Sequence, residues 1–326
     1  MTPVILVIAI SLTASYLLTP LVGKLAWKFG AVDHPGERRV HTTPTPRFGG
    51  VAIYVAFVAA VLISVWTNKR ITHHEQIAGI LIAGSLVAAV GVLDDKYNLS
   101  PVFQIVGIVA ATWVLTRYGI RIPYITNPFG GHSVIILGAF AFPVMAMWVF
   151  GVTKTVDLID GLDGLAAGIC AIAAATLLLM AVQAQAKETA LAGSFQNVAL
   201  MAAAVLGASL GFLRHNYPPA KIFMGTVGSQ FLGFVLASIS IVGAFKVATL
   251  VAVSVPVFAL GVPIIDAAFV VFRRFRERRP VHLADKTHVH HRLLDRGLSH
   301  GQVVLIIYAV TITLSATALI LYAVLR

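Results

Sequence analysis

Long apolar runs separated by short polar segments make up the chain from one end to the other. Each run approaches the roughly 17–25 residues that an α-helix needs to cross a bilayer. Breaks at charged or Gly/Pro-rich segments predict about ten helices, centred near residues 12, 57, 85, 109, 142, 174, 205, 235, 260 and 313. The pattern therefore predicts an all-α, polytopic integral membrane protein that forms a single domain over residues 1–326.

The composition supports this prediction, because 58% of the residues are hydrophobic and only 11% are charged. A soluble domain has about a quarter of its residues charged. The single cysteine, Cys170, excludes a disulfide framework and a thiolate metal cluster. The first apolar run has no basic segment before it and is followed by Lys24 and Lys28, which is typical of a retained span with its N-terminus outside.

Charged residues gather on one side of this predicted topology. The connections 24–47, 94–101, 152–164, 214–225 and 273–300 then lie inside and hold 17 of the 24 basic residues, as the positive-inside rule requires. All nine aspartates fall on the same side or at its membrane boundary, although acidic residues contribute little to orientation. A shared site in the cytoplasmic loops explains that asymmetry.

Two adjacent carboxylates, Asp94 and Asp95, end the third predicted helix in the segment GVLDDKYNLSP. A helix C-terminus already carries partial negative charge, so a pair of carboxylates there requires a cation or a basic cluster nearby. Oxygen ligands beside a phosphate suit Mg²⁺ or Mn²⁺. A solvated loop without a ligand is the alternative.

A second acidic cluster lies in VTKTVDLIDGLDGLAAG, where Asp157, Asp160 and Asp163 are spaced three residues apart. If the segment is helical, this spacing puts them on one face. Like charges so arranged repel unless a cation or hydrogen-bond donors lie between them. Gly161 and Gly164 let a ligand approach the backbone closely. A structural capping turn is the alternative, and the pattern lacks the further oxygen ligands of a calcium loop.

The next polar connection reads RHNYPPAKIFMGTVGSQFLGF. Phe223 offers an aromatic face for a base, and the glycines of GTVGS allow backbone amides to contact phosphate. Packing of the aromatic ring is the alternative.

The most basic connection is RRFRERRPVHLADKTHVHHRLLDRGLSH, in which His288, His290 and His291 stand beside Arg292. Imidazole and guanidinium groups together favour pyrophosphate binding. Attraction to anionic lipid head groups and zinc binding remain alternatives.

Taken in order, five segments resemble the signatures of the polyprenyl-phosphate N-acetylhexosamine-1-phosphate transferases: PTPRFGG, DDKYNLSP, DLIDGLDGLAAG, IFMGTVGS and HVHHRLLDRGLSH. The last is more similar to the branch that initiates O-antigen lipopolysaccharide, enterobacterial common antigen and teichoic acid linkage units than to the branch that makes peptidoglycan lipid I. The resemblance implies that GlcNAc 1-phosphate passes from UDP-N-acetylglucosamine, or a close UDP-N-acetylhexosamine, to undecaprenyl phosphate. It implies UMP as product and Mg²⁺ or Mn²⁺ as cofactor.

The resemblance also implies a place in the bacterial cytoplasmic (inner) membrane, with the active site facing the cytoplasm and membrane lipids around it. It suggests a homodimer, and no nucleic-acid partner is expected.

Carried over position by position, the resemblance and the segments above predict three sets of site residues. The predicted catalytic residues are Asp94, Asp95, Asp160, Asp163, His290 and His291. The predicted substrate-binding residues are Arg47, Asn216, Phe223, His288 and Arg292. The predicted metal ligands are Asp94, Asp95, Asp157 and Thr226.

The chain departs from the family pattern at three of its positions. Lys154 and Asp157 stand where asparagines are usual, and Thr226 stands where the aspartate of an MGD triplet is the family's metal ligand. Either Asp157 supplies the missing carboxylate or the metal site is impaired. An impaired homologue that binds lipid phosphate or nucleotide and regulates a partner is therefore one alternative function.

A transporter is a second alternative, because intramembrane acids and broken helices are also expected there. The acids of this chain gather at one face instead of the bilayer midplane, and the sequence has no visible internal repeat. Both features favour the enzyme.

Overall fold

The computed structural model describes residues 2–33, 43–68, 71–126, 134–187, 191–243, 257–276 and 289–324. The helices in these ranges are α1 (Thr2–Phe29), α2 (Gly49–Thr67), α3 (His74–Tyr97), α4 (Pro101–Arg117), α5 (Ala141–Ile159), α6 (Leu165–Lys187), α7 (Ala192–Asn216), α8 (Gly225–Gly243), α9 (Gly261–Arg276), α10 (Val289–Leu294) and α11 (His300–Val324). Two short antiparallel pairs accompany them, β1 (Val32–Asp33) with β2 (Thr45–Pro46) and β3 (Tyr124–Thr126) with β4 (Val134–Ile136).

Eight of the described helices are long and apolar enough to cross a membrane, and α4 is a shorter apolar helix. The ninth predicted centre, near residue 260, falls beside α9, and each of the others falls in a described helix. The predicted all-α polytopic membrane fold is therefore confirmed.

Burial distinguishes the outer helices from a central one. Only 22% of the most apolar window of α1 and 33% of that of α11 are buried, which leaves broad apolar faces for lipid. In α8 the corresponding share is 94%, because α8 packs against α2, α3, α5, α6 and α7.

Glycines allow α2 and α3 to approach the backbone of α8. A Cβ atom on Gly50 of α2 would lie 2.1 Å from the backbone nitrogen of Gly228, and one on Gly91 of α3 would lie 2.4 Å from the Cα atom of Val227. Because side chains cannot occupy these positions, the N-terminal turn of α8 is held directly by two neighbouring helices.

Backbone hydrogen bonds join two of the sequence motifs at one end of the bundle. Gly49 and Gly50 donate to the carbonyl oxygens of Phe223 and Met224 at 3.0 and 2.8 Å, and Phe223 donates to the carbonyl oxygen of Pro46 at 2.8 Å. The segments PTPRFGG and IFMGTVGS, distant in sequence, therefore form one structural unit where α2 and α8 begin.

Candidate active site

A cavity of about 780 Å³ lies at this end of the bundle. Its walls come from the connections after α1, α5 and α7, from the last turn of α5 and from the starts of α8 and α11. The lining residues are Asp33, Thr43, Thr45, Arg47, Asp157, Asp160, Gly161, Leu162, Asp163, Asn216, Pro218, Pro219, Ala220, Phe223, Gly225, Thr226, Ser229, Ser299, His300 and Gly301. Seven predicted site residues are among them: Arg47, Asp157, Asp160, Asp163, Asn216, Phe223 and Thr226.

The three spaced aspartates reach the cavity from a helix end and a turn. Helix α5 ends at Ile159, so Asp157 lies in its last turn and Asp160 is its C-cap residue. Asp163 follows in the turn before α6 and accepts the amide hydrogen of Ala220 at 2.9 Å. The condition of the one-face prediction is not met, because α5 ends before Asp160, so the three aspartates do not share one helical face. The turn nevertheless brings all three carboxylates to the same cavity.

Asn216 connects two of the loops that form the cavity wall. Its Oδ1 atom accepts the amide hydrogen of Gly164 at 2.9 Å, and its Nδ2 atom donates to the carbonyl oxygen of Ile222 at 2.9 Å. The Tyr308 hydroxyl of α11 donates to the carbonyl oxygen of Gly164 at 2.5 Å. Because Asn216 is only 3% exposed, its amide orients the two loops in addition to lining the cavity.

Asp95 lies behind the cavity wall, at the N-terminus of α8. Its carboxylate accepts the amide hydrogens of Thr226 at 2.8 Å and Val227 at 3.1 Å, which satisfies two donors of the first helical turn. The Arg47 guanidinium lies 4.0 Å from the same carboxylate. Two of the GTVGS amides that the sequence suggested for phosphate, those of Thr226 and Val227, therefore already have an internal acceptor.

The neighbouring Asp94 is 8% exposed and does not line the cavity either. Within the described ranges, no hydrogen-bond or ion-pair partner contacts its carboxylate. The two adjacent acids thus have different surroundings, although the sequence treats them alike.

The cavity carries an excess of negative charge. Among its described lining residues, four carboxylates face Arg47 as the one permanently charged cation, which lies 3.9 Å from Asp33. Burial, followed by the negative charges of Asp157 and Asp95, raises the pKa of the Asp160 carboxyl well above its usual range. A divalent cation would stabilise the ionised form of such a carboxyl.

The residues present fit a metal ion that the substrate helps to coordinate. In the described part of the chain, no three acidic, histidine or cysteine side chains are grouped so as to hold a metal ion. Mg²⁺ is usually bound by one or two carboxylates together with substrate phosphates and water. Of the four predicted metal ligands, Asp157 and Thr226 line the cavity, whereas Asp94 and Asp95 do not. The four therefore do not converge on one point, although Asp160 also lines the cavity. The metal assignment stays a prediction.

The basic connection before α11 is described only in part. His288 lies outside the described residues, and so do the side chains of His290 and His291 on α10. Arg292 is exposed and is not among the lining residues. The Asp266 carboxylate of α9 accepts the amide hydrogen of Val289 at 2.8 Å and so anchors the start of α10.

Thirteen of the 20 lining residues were not predicted as site residues, among them Asp33, Thr43, Thr45, Ser299, His300 and Gly301. The β1–β2 pairing places Asp33 opposite Thr45 and explains how residues before α2 reach the cavity. A two-residue strand has no detectable periodicity in the sequence. Asp33 could have been found only from its place among aspartates that share one side of the membrane.

Comparison with known proteins identifies the family to which this site belongs. Residues 77–244 match the family described as glycosyl transferase family 4. A Bacillus subtilis (strain 168) protein, named as a probable undecaprenyl-phosphate N-acetylglucosaminyl 1-phosphate transferase, is 37% identical over 98% of this chain and 85% of its own length. The chain belongs to glycosyl transferase family 4.

Other relatives agree with this membership. The decaprenyl-phosphate N-acetylglucosaminephosphotransferase of Mycobacterium leprae (strain TN) is 34% identical over 92% of this chain and 79% of its own length. The phospho-N-acetylmuramoyl-pentapeptide-transferase of Clostridioides difficile (strain 630) is 29% identical, over 93% and 92%. The matched range of glycosyl transferase family 4 includes three of the cavity aspartates, Asp157, Asp160 and Asp163, and Thr226, but neither Asp33 nor the basic connection before α11.

Proposed function

We propose that this enzyme transfers N-acetylglucosamine 1-phosphate from UDP-N-acetylglucosamine to undecaprenyl phosphate and releases UMP, at the cytoplasmic face of a bacterial inner membrane. The observation that carries the proposal is the cavity itself, where an acidic cluster, one arginine and one aromatic ring meet at the end of a membrane-spanning bundle. The two relatives named for N-acetylglucosamine transfer, at 37% and 34% identity, support the donor. The product would start a cell-envelope polysaccharide such as a teichoic acid linkage unit or an O-antigen.

The position of the acids favours group transfer over transport. The lining carboxylates lie at helix ends and in turns, beside Gly225 at the start of α8 and His300 at the start of α11. A transporter site is expected near the bilayer midplane. A site at the membrane boundary suits one substrate from water and one from lipid.

The cavity walls differ in a way that suits a nucleotide sugar. Phe223 lines the cavity and can stack on the uracil base, while its own backbone is fixed by hydrogen bonds to Pro46 and Gly49. Arg47 lies on the wall beside Asp33 and can contact a phosphate by charge-assisted hydrogen bonds. The basic connection before α11 carries further positive charge in the sequence.

Positioning and charge neutralisation dominate the proposed reaction. A monoalkyl phosphate has a second pKa of about 6, so the acceptor is largely ionised at neutral pH and attacks the phosphorus bonded to the sugar without a strong base. Asp94 is the residue proposed to orient it. Mg²⁺ or Mn²⁺, when bound, would supply neutralisation of the pyrophosphate charge, with Asp160 as the leading candidate ligand. The new phosphoanhydride bond forms as the bond to UMP breaks.

The proposal is tested by UMP release from purified protein in detergent with undecaprenyl phosphate. UDP-N-acetylglucosamine, UDP-N-acetylgalactosamine and UDP-N-acetylmuramoyl-pentapeptide are compared as donors, with and without EDTA. We expect UMP with the first donor, less with the others, and none when EDTA removes the metal. Absence of UMP with every donor, from protein that is folded and monodisperse, would overturn the proposed function.

A further inference from the structure

A polar network reaches the cavity wall at Asp157 and connects α4, α5 and α8. The Lys154 ammonium donates to Gln104 Oε1 at 2.7 Å and to Asp157 Oδ2 at 2.5 Å. The Gln230 amide donates to the same two acceptors, at 2.8 and 3.3 Å. Two donor side chains, Lys154 and Gln230, therefore share the same two acceptor atoms, and the network joins three helices.

The second oxygen of Asp157 is also occupied. Asp157 Oδ1 accepts the hydroxyl hydrogen of Ser229 at 2.6 Å. Ser229 lies one helical turn after Thr226 in α8, so this bond fixes the end of α5 against the first turns of α8. With three donors on two oxygens that offer about four acceptor sites, most of the capacity of the Asp157 carboxylate is used inside the protein.

The charge of Asp157 is balanced inside the protein. The side chains of Lys154 and Asp157 are 25% and 17% exposed, so both ions are largely withdrawn from water. A charge in that environment is stable only when it is paired. Within the described ranges, Asp160 and Asp163 have no lysine or arginine within 4.0 Å, so neither carboxyl group has an ion-pair partner there.

We propose that Lys154 is a positioning residue, which holds Asp157 against Ser229 and thereby sets the position of the α8 turn that carries Thr226. Asp157 is the counter-ion in this arrangement and binds neither the metal nor the substrate. The proposal rests on the proposed function and deepens it, because it divides the acidic cluster of the cavity into a structural member and a reactive pair, Asp160 and Asp163.

The decisive test is a double-mutant cycle. Lys154→Gln and Asp157→Asn each remove one charge and keep hydrogen-bonding groups of similar size. Each single change leaves an unpaired charge in the protein, so kcat per folded molecule is expected to fall by about tenfold or more. The double variant has no unpaired charge, and its kcat is expected to recover to within about threefold of the wild type.

Two variants of the same chemical kind serve as controls. Lys221→Gln removes an exposed lysine that does not line the cavity. Glu75→Gln removes an exposed acid in the first turn of α3, at the opposite end of that helix from Asp95. Both are expected to keep wild-type kcat. If the double variant is as slow as Asp157→Asn alone, the carboxylate itself takes part in the reaction and the proposal is wrong.

Metal binding gives a readout that does not depend on turnover. Mn²⁺ affinity is measured by electron paramagnetic resonance with UDP-N-acetylglucosamine present, for the wild type, the double variant and Asp160→Asn. We expect the double variant to stay within about threefold of the wild type, while Asp160→Asn loses about tenfold or more. A loss in the double variant equal to that in Asp160→Asn would make Asp157 a ligand and overturn the proposal.

Failure of the proposed function is distinguishable from failure of this inference. If the wild type releases no UMP, the double-mutant cycle is measured by Mn²⁺ affinity and by thermal midpoint. In both measurements the double variant must still lose less than the sum of the losses in Lys154→Gln and Asp157→Asn. Independent, additive losses in both measurements would overturn the positioning role whether or not the protein is active.

Discussion

The carboxylate of Asp95 accepts the amide hydrogen of Thr226 at 2.8 Å and so connects the last turn of α3 to the first turn of α8. Asp95 therefore acts as a capping acceptor from a neighbouring helix. Its side chain is fully withdrawn from solvent. The adjacent Asp94 makes no such bond within the described ranges, and the two acids should respond differently to the same substitution.

Asp95→Asn is expected to lower the free energy of unfolding by about 1–2 kcal/mol, because an amide has one acceptor oxygen for the two helix donors. Asp94→Asn loses no described hydrogen bond, so it should keep its thermal midpoint and lose about a hundredfold in UMP release if it orients the acceptor phosphate. Thermal unfolding in detergent and the release assay separate the two effects. Equal shifts in midpoint would contradict the capping role.

Asn216→Asp keeps the acceptor for Gly164 but replaces the donor to Ile222 with a second acceptor. Repulsion between the carboxylate and the Ile222 carbonyl should loosen both loops, and kcat/KM for the UDP-sugar is expected to fall about tenfold or more. Asn98→Asp makes the same change at an exposed position after α3 and serves as the control. Unchanged kinetics in Asn216→Asp would show that the two loops do not depend on this amide.

Thr226→Asp adds a carboxylate to the cavity where the family pattern has its metal ligand. Because a carboxylate binds a hard dication more strongly than a hydroxyl, the Mg²⁺ concentration for half-maximal rate should fall about tenfold. Without metal, the new charge stands among the cavity carboxylates, so the thermal midpoint in EDTA should drop below that of the wild type. A variant with wild-type Mg²⁺ dependence would place the metal away from position 226.

Gly225 has a φ angle of +73°, and a Cβ atom there would lie 2.2 Å from the carbonyl oxygen of Arg47. Gly225→Ala is expected to cost about 2 kcal/mol or more, because both the backbone conformation and the space exclude a side chain. Gly151→Ala in α5 meets nothing within 4 Å and should be neutral or stabilising by about 0.5–1 kcal/mol. Thermal midpoints of the pair provide the comparison, and similar midpoints would contradict the tight packing around α8.

The membrane orientation is tested by cysteine labelling in a Cys170→Ala background. Position 96, at the end of α3 that carries Asp95, should react with an impermeant maleimide only from the cytoplasmic side. Position 187, at the far end of α6, should react only from outside. Labelling of both positions from one side would contradict the predicted topology.

Much of the fold could be predicted because lipid imposes a simple length rule on apolar runs. The helix positions and the gathering of the polar connections follow from that rule and from the distribution of charge. The motifs Asp94 to Asp95 and Asp157 to Asp163 could be found because acids in such settings require a physical reason.

The functions of individual side chains were harder to predict, since they depend on contacts between distant segments. Nothing in the sequence distinguishes Asp95, a helix cap, from Asp94. The three-residue spacing allows Lys154 to pair with Asp157, but the sequence does not show whether Lys154 does so or faces a substrate. Asn216 resembles a nucleoside ligand in sequence, yet its amide is already used by Gly164 and Ile222. The short β1–β2 pairing that brings Asp33 to the cavity leaves no pattern at all.

The burial of α8 has a consequence for how the protein is made. Among the described helices, the five that pack most closely against it, α2, α3, α5, α6 and α7, all precede it in the chain. During synthesis these five helices leave the ribosome first, and the slot between them is the space that α8 later occupies. Because α8 carries buried polar groups such as Gln230 and Ser238, it gains more from entering that slot than from remaining in lipid. The cavity is thus completed late in biogenesis, and a chain that stops before residue 225 contains most of the motifs but no finished site.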